Sequence, residues 1–175
     1  QLTEYLEEVL SSLDLAENEA DIKEIRRELS EAGILKKQPE KKGKQKDGKA
    51  SSPMHFVSSD GFHIYVGKNN TQNDYLTLKF AKPSDIWMHT KKIAGSHVII
   101  VSENREIPEN TLKEGALLAA FYSKGRDSSS VPVDYTLKKN IKKPSGAKPG
   151  LVIYETNSTI YVTPDEESVK KIERV

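Results

Sequence analysis

The chain has 175 residues, 35% of them hydrophobic and 30% charged, with no cysteine and a formal net charge of +1. That length holds one sizeable core plus an appendage; the lack of thiols excludes a disulfide framework and a thiolate metal site and suits a reducing, cytoplasmic compartment, and no apolar run nears the roughly 18 residues of a membrane span. The small net charge hides segregation, because residues 1–33 hold three basic and ten acidic side chains, a balance of −7, so residues 34–175 carry +8 and suit a polyanionic partner.

The first stretch is acidic, lacks the basic start of a signal peptide, and begins without Met in what reads as mid-helix, the pattern of a piece cut from a longer protein. Leu2, Tyr5, Leu6, Val9, Leu10 and Leu13 fall at helical spacing, and Ile22, Ile25 and Leu29 mark a second helix that stops at Gly33. Residues 1–35 therefore read as a helical hairpin, the end of a coiled-coil region, with a solvated acidic outer face. Residues 36–53 hold seven Lys among Gly, Pro and Ser and almost nothing apolar. They read as a flexible linker or, alternatively, as a basic tail that meets phosphate.

Residues 54–175 read as the globular part. Met54–Val57 and Phe62–Val66 flank Ser58-Ser59-Asp60-Gly61, a hairpin signal. A helix opens near Thr71 and runs to about Ala81, where Pro83 follows. In residues 85–101, DIWMHTKKIAGSHVIIV, alternation puts Asp85, Trp87 and His89 on one face of a strand and Ile86 and Met88 on the other. Lys91 to Gly95 then turns the chain into a strand covered on both faces, which brings His89 and His97 to one rim. A small-residue helix follows Pro108, Val131–Leu137 alternates as a strand, Leu151–Tyr154 and Thr159–Val162 suggest a second hairpin, and a short helix starts after Pro164. The expected class is α+β, a mostly antiparallel central sheet with packed helices, preceded by the short helical hairpin.

The strongest basic patch is residues 124–148, with Lys124, Arg126, Lys138, Lys139, Lys142, Lys143 and Lys148 against Asp127 and Asp134. Such a patch fits phosphate contact driven by counterion release. Lys68, Asn69 and Asn70 offer backbone N–H groups, Lys91, Lys92 and Ser96 line the central turn, and Trp87, His89 and His97 offer ring surfaces of the kind that grip unpaired bases. A Trp beside so apolar a strand also suits a partly buried ring with the two histidines as its polar rim. Asp85, His89 and His97 could alternatively make a two-His, one-carboxylate metal set, or pack without metal. No GxSxG, Walker A loop or HExxH is present, so a binding module without catalytic residues, cofactor or metal is expected.

From about Phe56 to Pro164 the sequence resembles the C-terminal NFACT-R domain of the NFACT family, whose members include the bacterial RqcH or fibronectin-binding protein A and the eukaryotic NEMF. The resemblance lies in Gly67-Lys68-Asn69, Asn73-Asp74, Asp85-Ile86-Trp87, His89, Gly95-Ser96-His97, Ala119-Ala120, Tyr122-Ser123, Val133, Lys143 and Lys148-Pro149-Gly150, in that order. It implies a cytoplasmic role in ribosome-associated quality control. The family binds obstructed large ribosomal subunits and alanyl-tRNA and promotes C-terminal alanine tailing, with this domain supplying RNA contacts and packing against the N-terminal domain of the same protein. It also implies an alternative, a cell-surface adhesin that binds fibronectin.

Overall fold

Two helices, α1 (Leu2–Leu15) and α2 (Glu19–Glu31), form the hairpin at the start of the chain. The structure is a computed structural model and describes residues 2–37 and 50–175. Asn18 caps α2 by accepting from the backbone N–H of Asp21 at 2.9 Å, which satisfies one of the donors a helix start leaves open. Tyr5, Val9 and Ile25 are the hairpin's buried core, while Leu2, Leu10, Leu13 and Ile22 from the same apolar stripes are exposed. The acidic face differs from expectation. Asp21 and Glu28 are buried, because they meet Lys68 and Asn70 of the following domain rather than water.

The domain is built on a seven-stranded antiparallel sheet in the order β6-β5-β3-β4-β2-β1-β7. Its strands are β1 (Met54–Val57), β2 (His63–Val66), β3 (Ile86–Thr90), β4 (Val98–Ile100), β5 (Val131–Leu137), β6 (Ser158–Val162) and β7 (Glu173–Arg174). One face buries Ile64, Val66, Met88, Val98, Ile100 and Val133 under α4 (Glu109–Phe121) and α5 (Glu166–Lys170). Gly115 lets α4 lie close, since a Cβ there would come within 2.9 Å of Met88 Sδ and Ile100 Cδ1. The other face buries Leu76, Trp87, Ile99 and Ile141. Trp87 thus sits opposite Met88, as strand alternation requires, and β4 is covered on both sides.

Helix α3 (Asn70–Asp74) starts one residue earlier than expected, capped by Asn69. It passes into a π-helical segment, Tyr75–Phe80, that closes with Ala81 N donating to Leu76 O. The expected hairpin of Leu151–Tyr154 with Thr159–Val162 does not form. Strand β6 takes the edge of β5 instead, and residues 151–154 cross the Trp87 face with only Ile153 bridging back to Lys142. Strand β7, which pairs with β1, has no counterpart in the sequence reading. Of the Lys-rich stretch 36–53, residues 38–49 lie outside the described residues; Ser51 accepts from Gln72 Nε2 at 2.6 Å and donates to Asp21 at 2.7 Å.

Candidate nucleic-acid interface

Alternation along β3 sends Trp87 and His89 to the same face, and the turn that follows brings His97 against both, with ring centroids 5.3 Å and 5.4 Å from His97. Trp87 is only 1% exposed, so it is interior rather than a half-buried platform. The indole N–H donates to His97 Nδ1 at 3.1 Å, and Thr77 Oγ1 lies 2.8 Å from the same nitrogen. The other nitrogen, Nε2, meets the Gly150 carbonyl at 3.0 Å. An indole N–H can only donate, which makes Nδ1 the acceptor and leaves the proton on Nε2. Burial holds the His97 pKa well below its ordinary value, and neighbouring His89 and Lys143 push the same way.

Residues 141–154 lie over this cluster as a cover. Asp74 fastens it by accepting from Gly150 N at 3.0 Å and from Lys143 Nζ at 3.3 Å, and Lys143 Nζ also donates to Lys148 O at 2.6 Å. Tyr154 donates to Asp134 at 2.6 Å and packs its ring 4.9 Å from Trp87. Gly150 adopts φ +82°, and a Cβ there would collide with the Asn70 side chain, so glycine is required twice over. A base cannot reach Trp87 or His97 unless this cover lifts.

The GKNN turn is equally enclosed. Lys68, Asn69, Asn70 and Ser96 are buried. Lys68 Nζ lies 2.8 Å from Asp21 and 3.4 Å from Glu17, both on the hairpin. Burial opposes the Asp21 charge, but hydrogen bonds from Lys68, the Glu17 backbone and Ser51 outweigh it and keep its pKa below the ordinary value. Lys68 is therefore tied into the fold and turned away from solvent. The alternative metal set of Asp85, His89 and His97 does not assemble among the described residues. Asp85 faces the far end of β3, where it accepts from Ser102 N and Lys82 N, about 13 Å along the strand from His89.

The contiguous run 124–148 is divided by β5 into two clusters at opposite ends of the sheet. Lys91, Lys92 and Lys124 gather at the β3–β4 turn, where Lys124 N donates to Ala94 O. This end also meets the acidic hairpin. Glu8 accepts from Gly95 N at 3.3 Å and lies 3.8 Å from His89 Nε2. Burial raises Glu8 to about 7 against the pull of the Gly95 N–H and Lys124, and burial lowers His89. Arg126 Cζ lies over the Phe121 ring, 3.8 Å from its centre, and Lys148 Nζ lies 4.9 Å from the centre of the Tyr5 ring.

Lys138 and Lys139 stand on a short 3₁₀ turn at the other end, fixed by Lys138 N donating to Asp85 O and Lys139 N to Pro83 O. Lys142 is exposed beside them, and Lys79 from the π-helical segment and Lys82 just after it, neither singled out from sequence, join the same end. Among the described residues none of these five lysines has an acidic group within 4.0 Å. Their spacing of three in Lys79 and Lys82 around Phe80 was the available signal.

Residues 52–156 match the family of the NFACT protein RNA binding domain. This chain belongs to the NFACT family. It is 47% identical over 173 residues to the Rqc2 homolog RqcH of Bacillus subtilis (strain 168), which covers 98% of the chain and 30% of that protein. A ribosome quality control complex subunit NEMF homolog from Drosophila melanogaster is 32% identical over 81 residues, 46% of the chain and 8% of that protein. Among solved structures, the C-terminal part of the fibronectin/fibrinogen-binding protein from Streptococcus suis superposes with a TM-score of 0.84 at 42% identity, covering 97% of the chain and 66% of that structure. The chain thus spans about a third of the length of the curated bacterial relative it matches.

Proposed function

We propose that this NFACT domain is the RNA-contacting module of a ribosome-associated quality control factor, acting in the cytoplasm as a binding surface without bond chemistry of its own. The observation that carries the reading is the cluster of Lys138, Lys139 and Lys142 with Lys79 and Lys82, which among the described residues presents unneutralised charge at one end of the sheet in a family of RNA-binding domains. Phosphate contact at such a surface releases counterions and binds with strong salt dependence. In the whole protein the partners would be obstructed large ribosomal subunits and alanyl-tRNA, the outcome C-terminal alanine tailing, and the acidic hairpin the link to the N-terminal domain.

A fibronectin-binding role at the bacterial surface is the second reading, favoured by the close likeness to the Streptococcus suis protein. Titration of the chain against tRNA, large ribosomal subunits and fibronectin at two salt concentrations separates the two. Tight, salt-sensitive binding to RNA or subunits supports the first; salt-insensitive binding to fibronectin alone overturns it.

A further inference from the structure

The cover of residues 141–154 and the π-helical segment leave part of the Trp87 face of the sheet open at β1 and β2. Alternation places His55, His63 and Tyr65 on that open part, because Phe56 and Ile64 between them belong to the opposite core. The rings form a row. His63 lies 4.9 Å from His55, His55 stacks on Tyr65 at 4.2 Å with planes 11° apart, and Tyr65 meets Phe80 edge-on at 4.8 Å. Tyr75 extends the row 6.2 Å beyond Phe80 and is 49% exposed. Tyr65 and Phe80 are half-buried, their inner edges packed against the Trp87 core, while Tyr75 and His63 are exposed, so the row turns one aromatic rim to solvent.

The row ends at the lysine cluster. Val101 N donates to His63 O and Ile100 pairs with both Ile64 and Ile86, which puts His63 at the same sheet end as Asp85, Lys138 and Lys139. Lys79 and Lys82 flank Phe80 in the chain. Of the acids at this end, Asp85 is buried on Ser102 N and Lys82 N and Glu103 lies 3.6 Å from Arg105, while exposed Glu173 lies beside Val57 on the far edge of β1, away from Lys138 and Lys139.

We infer that Tyr75, Phe80 and Tyr65 form a stacking ledge for the unpaired bases of a single-stranded RNA whose phosphates run along Lys79, Lys82, Lys138 and Lys139. Flat rings recognise the π-face that every base carries once it leaves a helix, and a duplex hides those faces. The site therefore selects single strands over duplexes and tolerates sequence. This inference rests on the RNA-binding reading above and narrows it to one nucleic-acid form.

The test compares a fluorescently labelled 12-nucleotide oligouridine with a 12-base-pair RNA duplex, by anisotropy, on the whole chain and on Tyr75→Ser, Phe80→Leu, Tyr75→Phe and Lys138→Gln/Lys139→Gln variants. Tyr75→Ser and Phe80→Leu should weaken oligouridine binding by roughly five-fold to a hundred-fold each, with the salt slope unchanged and the weak duplex binding unaffected. Tyr75→Phe should bind as the parent does, and the double lysine variant should lower the slope on both RNAs. Thermal melting followed through Trp87 checks that each variant is folded, and Tyr75→Ser, at an exposed position, keeps the test open if Phe80→Leu is not. Ring variants that bind oligouridine like the parent while the lysine variant weakens overturn the ledge alone. A parent that binds neither RNA overturns the ledge and the RNA reading together.

Discussion

Trp87 donates its indole N–H to Nδ1 of His97, and that one bond sets both the charge and the tautomer of a histidine buried between two strands and a cover. A proton on Nδ1 would face the indole N–H and the hydrogen bond would be lost. His97 is neutral in the folded state for this reason as well as through burial. Since its folded pKa lies below the unfolded value of about 6.5, its stabilising contribution is complete above that value and is lost as pH falls toward the folded pKa.

The histidine part of the parent's stability should therefore decline from about pH 6.5 downward in urea unfolding, with His89 and His55, also lowered by burial, adding to it and the buried carboxyls Glu8 and Glu28 working against it. His97→Gln should be less stable at pH 7.5 yet depend less on pH below 6.5. An unchanged pH slope in this variant would show that the Trp87–His97 bond is not the sensor.

Replacing Trp87 by Ala should cost about 3 to 5 kcal/mol of stability, measured by chemical denaturation. As the sole tryptophan of the chain, it also reports directly on its surroundings. Its emission should be blue-shifted, inaccessible to iodide, and unmoved by added RNA. Strong iodide quenching in the native protein would contradict its burial.

Glu8 titrates in the opposite sense. Its pKa is raised to about 7 by burial, so the contribution it makes is full below its unfolded value near 4.5 and is lost as pH rises through 7. Glu8→Gln should match the parent near pH 4, gain stability over it progressively from pH 5 to 7, and keep a constant advantage above. A variant that loses stability at pH 8 would mean that a charged Glu8 holds the hairpin.

Lys68 separates a structural cation from an RNA-facing one. Removing one member of a buried pair leaves a bare charge behind, so Lys68→Gln should destabilise by about 3 to 5 kcal/mol, whereas Lys139→Gln, at an exposed position, should change stability within about 0.5 kcal/mol. Adding Asp21→Asn to Lys68→Gln should recover much of the loss, since the stranded carboxylate is then gone. Full additivity of the two substitutions would refute the pairing.

Which of these relationships the sequence disclosed depends on their range. Period-two alternation was enough to set Trp87 and His89 opposite Met88, and the Asp60-Gly61 turn was enough to pair β1 with β2. Local patterns carry no information about Lys68 meeting Asp21 across 47 positions or Gly95 meeting Glu8 across 87. Runs of Lys therefore read alike whether enclosed, as at Lys68, or open, as at Lys139. Leu151–Tyr154 has the composition of a strand, but Val152 and Tyr154 pack against the Trp87 cluster instead of pairing with Ser158–Val162, a choice settled only in three dimensions. The aromatic row was hidden for the same reason, being assembled from β1, β2 and the π-helical segment.

The lysines of residues 138–143 should then fall into two kinds. Lys138, Lys139 and Lys142 have no acidic partner among the described residues, and Lys143 is bound to Asp74 and Lys148 O. Changing the first three to Gln should lower the slope of log K against log salt by roughly 0.7 to 1 per lost phosphate contact and leave thermal stability intact. Lys143→Gln should do the reverse: the slope stays, while the cover over His97 loosens and hydrogen exchange at Gly150 and Val152 speeds up. Because the four positions lie within six residues, composition alone predicts the same effect from each. A slope loss shared equally by all four would mean that Lys143 leaves Asp74 to meet RNA, and that the cover opens when RNA binds.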